Sequence, residues 1–167
     1  TYNNDGIPNL LTASWAGIAS SEPAAIAISI RKTRYTYKNL NERMCFTVNV
    51  PSEKHIKDAD YCGVYSGKDC NKFDDLGLTA VKSEFVDAPI VDDFPVALSC
   101  KVVEIHDLGL HIQFIGQILD VAVDENVLDE KGVPVIDLIK PFVYDVSSRA
   151  YYSIGEKLMP AYSTIKK

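Results

Sequence analysis

The sequence predicts a mainly β protein, with at least six strands closing into a barrel by antiparallel pairing and short helices capping one end. Three observations predict it. Residues 24–30 alternate isoleucine with alanine and serine, the period-two pattern of a strand with two unlike faces. Residues 96–106 and 110–124 are two long extended runs around Asp107-Leu108-Gly109, a long β-hairpin. Helical stretches between the strands are few and short. The length of 167 residues suits one domain with a sizeable core.

The chain opens on Asn3-Asn4-Asp5-Gly6, strong hairpin-turn chemistry that asks for a strand on each side. Leu10–Ile18 reads as the next strand, with Thr12 and Ser14 opposite Leu11, Ala13 and Trp15. Trp15 is the only tryptophan. It is either a core or interface aromatic or a ring that packs on a planar ligand. Residues 19–23 are a connection. In the strand that follows, Ile26, Ile28 and Ile30 seek the core, while Ala25, Ala27 and Ser29 leave room for something flat.

That strand ends in Arg31-Lys32-Thr33-Arg34-Tyr35-Thr36, which gathers three cations, two hydroxyls and a phenol. Thr36 is placed to cap a helix over Tyr37–Arg43. Free amides and the helix dipole make such a start an anion site. The loop is therefore either a phosphate grip beside a ring-sized face or a solvated surface turn.

Met44–Val50 is a strand with Phe46, Val48 and Val50 on one face and Thr47 and Asn49 on the other, stopped by Pro51. A helix starts at Ser52 and reaches Tyr61 or beyond, with His55 on its solvated face. Ser66-Gly67 opens a loop and short helix closed by Gly77, where the i, i+4 spacing of Lys68 and Lys72 predicts one shared face. Leu78–Lys82 is a short strand and Asp87–Pro95 a loop. His111 and Gln113 share a face near the hairpin turn, and Gly116 inside the strand signals a bulge or the close approach of another group. Residues 124–138 read as an acidic loop with a helical turn, and Phe142–Tyr144 as a short extended piece.

The net charge of −6 argues against general nucleic-acid binding, and a basic loop on an acidic protein suggests a small anionic ligand instead. No apolar run approaches the roughly 20 residues that span a bilayer. Of the four cysteines, Cys45 and Cys100 lie in apolar strands and Cys62 and Cys70 nearer the expected ligand site. No C-x-x-C pair and no metal-ligand spacing occurs. Reduced thiols in a cytoplasmic protein are the expectation, with a Cys62–Cys70 redox disulfide as the alternative.

In order and spacing the chain resembles the flavin reductase-like family with an FMN-binding split barrel, on its flavoredoxin branch. The resemblance rests on Asn9-Leu10-Leu11-Thr12-Ala13-Ser14-Trp15, Ser29-Ile30-Arg31-Lys32 with Tyr35-Thr36-Tyr37, and Phe46-Thr47-Val48-Asn49. It continues through Ala59-Asp60-Tyr61-Cys62-Gly63, Ser66-Gly67-Lys68-Asp69 with Lys72-Phe73, Gly109-Leu110-His111 and Tyr151-Tyr152-Ser153-Ile154-Gly155-Glu156. It implies a single domain over residues 1–167, a further strand before residue 1, and a homodimer with FMN in a groove near the subunit interface. It also implies electrons arriving from NADH, NADPH or a redox partner protein. The residues implied for FMN are Thr12, Ala13, Ser14, Trp15, Ser29, Arg31, Lys32, Tyr35, Thr36, Asn49, Ser66, Gly67, Lys72 and His111. Lys72 and His111 are the candidates for stabilising the charge of the reduced ring. Three functions stay open: a flavin reductase using a nicotinamide, an FMN electron carrier between proteins, and a flavin- or haem-binding module without turnover. The missing G-x-G-x-x-G fingerprint is neutral among them.

Overall fold

The computed structural model describes residues 1–165. In chain order it contains β1 (Ala16–Ser21), β2 (Ala24–Arg31), α1 (Tyr35–Arg43), β3 (Cys45–Val50), α2 (Ile56–Val64) and α3 (Lys72–Leu76). There follow β4 (Ala80–Lys82), β5 (Pro89–Val91), β6 (Val96–Asp107), β7 (His111–Val123), α4 (Ile136–Ile139), β8 (Phe142–Asp145) and β9 (Ala150–Ser153). The protein is mainly β, as its residue patterns predict.

One five-stranded antiparallel sheet, in the order β1-β2-β7-β6-β3, carries the molecule. The pairs β4-β5 and β8-β9 are separate two-stranded ladders. The β6-β7 hairpin turns at Gly109, whose φ of 81° suits glycine and whose amide donates to Asp107 Oδ1 at 2.8 Å. The small ladder β4-β5 is tied to β3 by side chains: Val91 N donates to Asn49 Oδ1 at 2.9 Å, and Thr47 Oγ1 donates to the Pro89 carbonyl.

The core is built where the sheet curls over α1. Ile28 and Ile30 of β2, Leu40 of α1, Phe46 of β3, and Ile112 and Phe114 of β7 form its centre. Gly116 is opposed by the Phe46 ring, whose nearest carbon lies 2.5 Å from where a Cβ would stand. The β6-β7 register also shifts between Val102 and Glu104, next to Gly116, so close approach and bulge occur together.

Several expectations change. The strand expected over 10–18 begins only at Ala16, and residues 10–15 run without a ladder. Side chains and a neighbouring amide hold that segment instead. Lys72 Nζ donates to the Leu10 carbonyl at 2.7 Å, Thr12 Oγ1 donates to the Ala59 carbonyl, and Ser29 N donates to the Trp15 carbonyl at 2.8 Å. Residues 19–21, expected as connection, belong to β1, and the chain reverses over Glu22-Pro23. The opening turn is flanked by one isolated bridge, Tyr2 to Pro8, rather than by strands.

Helix α1 starts at Tyr35 with Arg34 at its cap. Thr36 therefore lies inside the first turn, and its hydroxyl accepts from Asn9 Nδ2 at 2.9 Å instead of capping. His55 is not solvated: its Nδ1 meets Asp58 Oδ2 at 2.7 Å and its ring packs on Phe94 at 4.9 Å. Lys68 and Lys72 do not share a face. Lys68 precedes α3 and is exposed, whereas Lys72 is 2% exposed. Residues 87–95 contain β5, and Phe142–Tyr144 extends into a true hairpin with β9.

Candidate functional site

The β2-to-α1 connection delivers a charged side chain to each end of a tight turn. Arg31 closes β2 and Arg34 opens α1, with the Arg34 amide donating to the Arg31 carbonyl at 3.0 Å. Both line a cleft of about 410 Å³. Neither forms an ion pair among the described residues. No side chain caps α1; the Tyr37 amide donates to the Arg34 carbonyl at 3.0 Å, and the Tyr35 and Thr36 amides with the helix dipole leave a positive end beside two guanidinium groups. Such an end favours an anion, and guanidinium forks suit a phosphate or a carboxylate.

The sheet side of the cleft continues through Ser29, Trp15 and His111. The β2-β7 register places Arg31 opposite His111. The His111 ring meets Trp15 edge-on, with centroids 6.0 Å apart. Trp15 is 56% exposed, which places its indole at the cleft rather than in the core. Thr12, Ala13 and Ser14 form the seam at its base.

The other wall comes from α2 and the β8-β9 hairpin. Asp60, Gly63 and Val64 of α2, Tyr144 and Tyr151 of the hairpin, and Arg149 in its turn line it. The hairpin is pinned to α2 by Tyr151, whose hydroxyl donates to Asp60 Oδ1 at 2.8 Å. Burial, together with that carboxylate, pushes the Tyr151 phenol up to about 12, so it remains a donor at neutral pH.

Of the residues singled out in the sequence, the fold thus brings Thr12, Ala13, Ser14, Trp15, Ser29, Arg31 and His111 to one cleft. Thr36 and Asn49 line a neighbouring, more apolar cavity of about 430 Å³ that shares the Thr12–Ser14 seam. Lys32, Tyr35, Ser66, Gly67 and Lys72 line neither. The Lys32 ammonium bridges to Asp107 at 2.7 Å, across to the turn of the β6-β7 hairpin. The Tyr35 hydroxyl accepts from Asn3 Nδ2 at 3.1 Å. Gly67 backs onto Asn9 and Tyr35 so closely that any Cβ would overlap both. The Lys72 ammonium is held by the carbonyls of Leu10 and Cys62 at 2.7 and 2.8 Å, and burial lowers its pKa. Ser66 Oγ accepts from Lys68 N at 3.2 Å, a contact within its own loop.

All four cysteines are free, and burial pushes the Cys62 thiol up to about 11, away from thiolate reactivity. Two cleft cations are absent from the residues implied for FMN: Arg34, which lies within the basic loop, and Arg149, which is remote from it. The signal available for Arg149 was a lone arginine in the polar run Ser147-Ser148-Arg149, and its distance in sequence from the basic loop hides that both face one cavity.

The flavin reductase like domain family matches residues 1–153. The chain belongs to that family. Among solved structures of similar fold, the flavoredoxin of Desulfovibrio vulgaris (Miyazaki F) is 46% identical, with a TM-score of 0.94, covering 98% of this chain and 88% of that one. The flavoredoxin from Methanosarcina acetivorans is 26% identical, with a TM-score of 0.91, covering 98% of this chain and 86% of that one. An uncharacterized protein of Archaeoglobus fulgidus is 35% identical over 124 residues, 74% of this chain and 70% of its own length. The fold is therefore the split barrel of the flavin reductase-like proteins.

Proposed function

We propose that this flavin reductase-like protein binds FMN in the cleft and works as an oxidoreductase, taking electrons from NADH or NADPH. The observation that carries this reading is the pair Arg31 and Arg34 at the uncapped start of α1, opening onto a cleft walled by Ser29 and Trp15. FMN carries one phosphate, a polar ribityl chain and a flat ring, and the cleft offers cations, hydroxyls and an exposed indole. Its volume of about 410 Å³ lies in the roughly 300–1,000 Å³ range of small-molecule sites.

In this reading Arg31 and Arg34 hold the phosphate. Ser14 and Ser29 offer hydroxyls to the chain and ring, and Thr12 and Ala13 set the base of the cleft. Trp15 packs on the flat group. When bound, FMN supplies the redox chemistry, and the protein positions it. His111, steadied by Trp15, is the side chain we assign to stabilising charge on the reduced ring. Lys72 acts behind the cleft, by holding Leu10.

Exposed apolar side chains, among them Ile18 at 90% and Leu110 at 64%, support a homodimer. The free thiols fit a reducing, cytoplasmic compartment. The likeness to the Desulfovibrio flavoredoxin supports a second reading, an FMN carrier that passes electrons between proteins.

Titration of the protein into FMN tests the first step, with quenching of flavin fluorescence as the expected result. Fluorescence as bright as in buffer removes the proposal. Stopped-flow mixing of the loaded protein with NADH and NADPH separates the readings. Rapid bleaching by either nucleotide supports the reductase, and slow bleaching by both supports the carrier.

A further inference from the structure

Three guanidiniums line the cleft. Arg31 and Arg34 approach from the sheet side, within one turn of chain and beside the uncapped helix start. Arg149 reaches the cleft from the other wall, out of the turn between β8 and β9. It forms no ion pair among the described residues.

Its position is built rather than incidental. Arg149 has φ of 53°, the left-handed region that residues with side chains rarely adopt. The turn is held by Asp145, whose carboxylate accepts from Ser147 N at 3.0 Å, Ser148 N at 3.0 Å and Ser148 Oγ at 2.5 Å. Two residues on, Tyr151 ties the hairpin to Asp60 of α2. A glycine would satisfy this backbone without strain, yet an arginine stands here and opens onto the cleft.

We propose that Arg149 forms a second anion subsite, one that receives the pyrophosphate of the nicotinamide dinucleotide rather than the phosphate of FMN. The inference rests on the reading of the cleft as a flavin site. The anion of FMN is already met by two guanidiniums and a helix start on the sheet side. A dinucleotide donor must lay its nicotinamide against the ring that fills the cleft, so its charged middle passes the outer wall. There the pyrophosphate meets the remaining unpaired cation. Arginine suits that group because its planar fork can engage two phosphate oxygens at once.

The test uses Arg149→Gly, which removes the guanidinium and relaxes the backbone, with Arg31→Ala as comparison. ADP-ribose, which carries the pyrophosphate without the nicotinamide, is titrated calorimetrically into FMN-loaded protein. FMN affinity is measured separately by fluorescence quenching. Arg149→Gly is expected to weaken ADP-ribose about tenfold and to change FMN affinity by less than about twofold. Its Tm is expected to hold or rise. Unchanged ADP-ribose affinity in the variant overturns the inference, as does wild-type FMN-loaded protein that fails to bind ADP-ribose at all. Loss of FMN affinity matching that of Arg31→Ala also overturns it, by assigning all three arginines to one phosphate. Each of those results leaves FMN binding by the wild type intact. Wild-type protein that does not bind FMN is a different result, and it removes the flavin reading together with this one.

Discussion

The Lys72 ammonium donates to the Leu10 carbonyl at 2.7 Å, joining residues 62 apart in sequence, and to the Cys62 carbonyl at 2.8 Å. Leu10 leads into the Thr12–Trp15 segment, which has no ladder of its own until Ala16. The buried cation, with the Thr12 hydroxyl and the Ser29 amide, therefore does for that segment what strand pairing does elsewhere in the sheet. Lys72→Met keeps most of the side-chain volume and strands two carbonyls. We expect a loss of about 2 kcal/mol, which for a chain of this size lowers Tm by roughly 4–8 °C. Flavin affinity should fall with it, because the base of the cleft loosens. Lys54→Ala, at an exposed position, should change neither. Thermal melts of the two variants, read beside FMN quenching, check this, and matched melting curves would remove the bracing role.

Local pattern carried most of the fold, and half of the residues named for the candidate site reach one cleft. The alternation at 24–30 and the long hairpin at 96–124 are period-two signals, and both became central strands. Leu10–Trp15 has the same alternation without the ladder, because pairing is decided by which backbone lies alongside, and periodicity does not report that. Lys72, expected to share a face with Lys68 and to reach the flavin, points elsewhere for a related reason. Its helix is five residues long, and tertiary packing, rather than i, i+4 spacing, sets which side is buried. Arg31, Ser29 and Trp15 were legible because their segments are contiguous with recognisable strands. Arg149 was not, since only the packing of the β8-β9 hairpin on α2 brings it to the cleft.

The Arg31 guanidinium should matter to the phosphate alone. Arg31→Ala is expected to weaken FMN about 10- to 100-fold, the range for losing a charge-assisted hydrogen-bond pair at a half-open site. Riboflavin has the same ring and chain without the phosphate, so its affinity should change little. Parallel quenching titrations with the two flavins provide the measurement. Equal losses for both would assign Arg31 to the ring or to the fold instead.

Packing at Gly116 gives a stability prediction independent of any ligand. A Cβ there would stand 2.5 Å from the Phe46 ring and 3.0 Å from Cys100 Cβ, both in the core. Gly116→Ala should cost about 1–3 kcal/mol through overpacking. Shortening the ring with Phe46→Leu should recover part of that loss, since the two positions share one space. Urea unfolding of the two single variants and the double variant measures the coupling. Strict additivity of the two losses would contradict the contact.

The alkaline limb of stability should carry the signature of Cys100. This residue is fully buried, and burial alone pushes its thiol up to about 12 from an ordinary 9.0. The folded state therefore keeps a proton that the unfolded chain releases. Below pH 9 the thiol is protonated in both states and contributes no slope. Between pH 9 and about 12 the unfolded state binds fewer protons, so the unfolding free energy falls as pH rises. Cys62, pushed up to about 11, adds to the same slope over the lower part of that window. The buried Lys72, with its pKa lowered, works in the opposite direction as pH approaches its unfolded value of 10.5. Cys100→Ala leaves a smaller side chain that does not titrate, so it should lower stability at neutral pH by cavity formation yet flatten the decline above pH 9. Urea midpoints taken at intervals from pH 7 upward, for wild type and variant, resolve the two effects, and parallel pH curves would show that the Cys100 thiol does not set the alkaline slope.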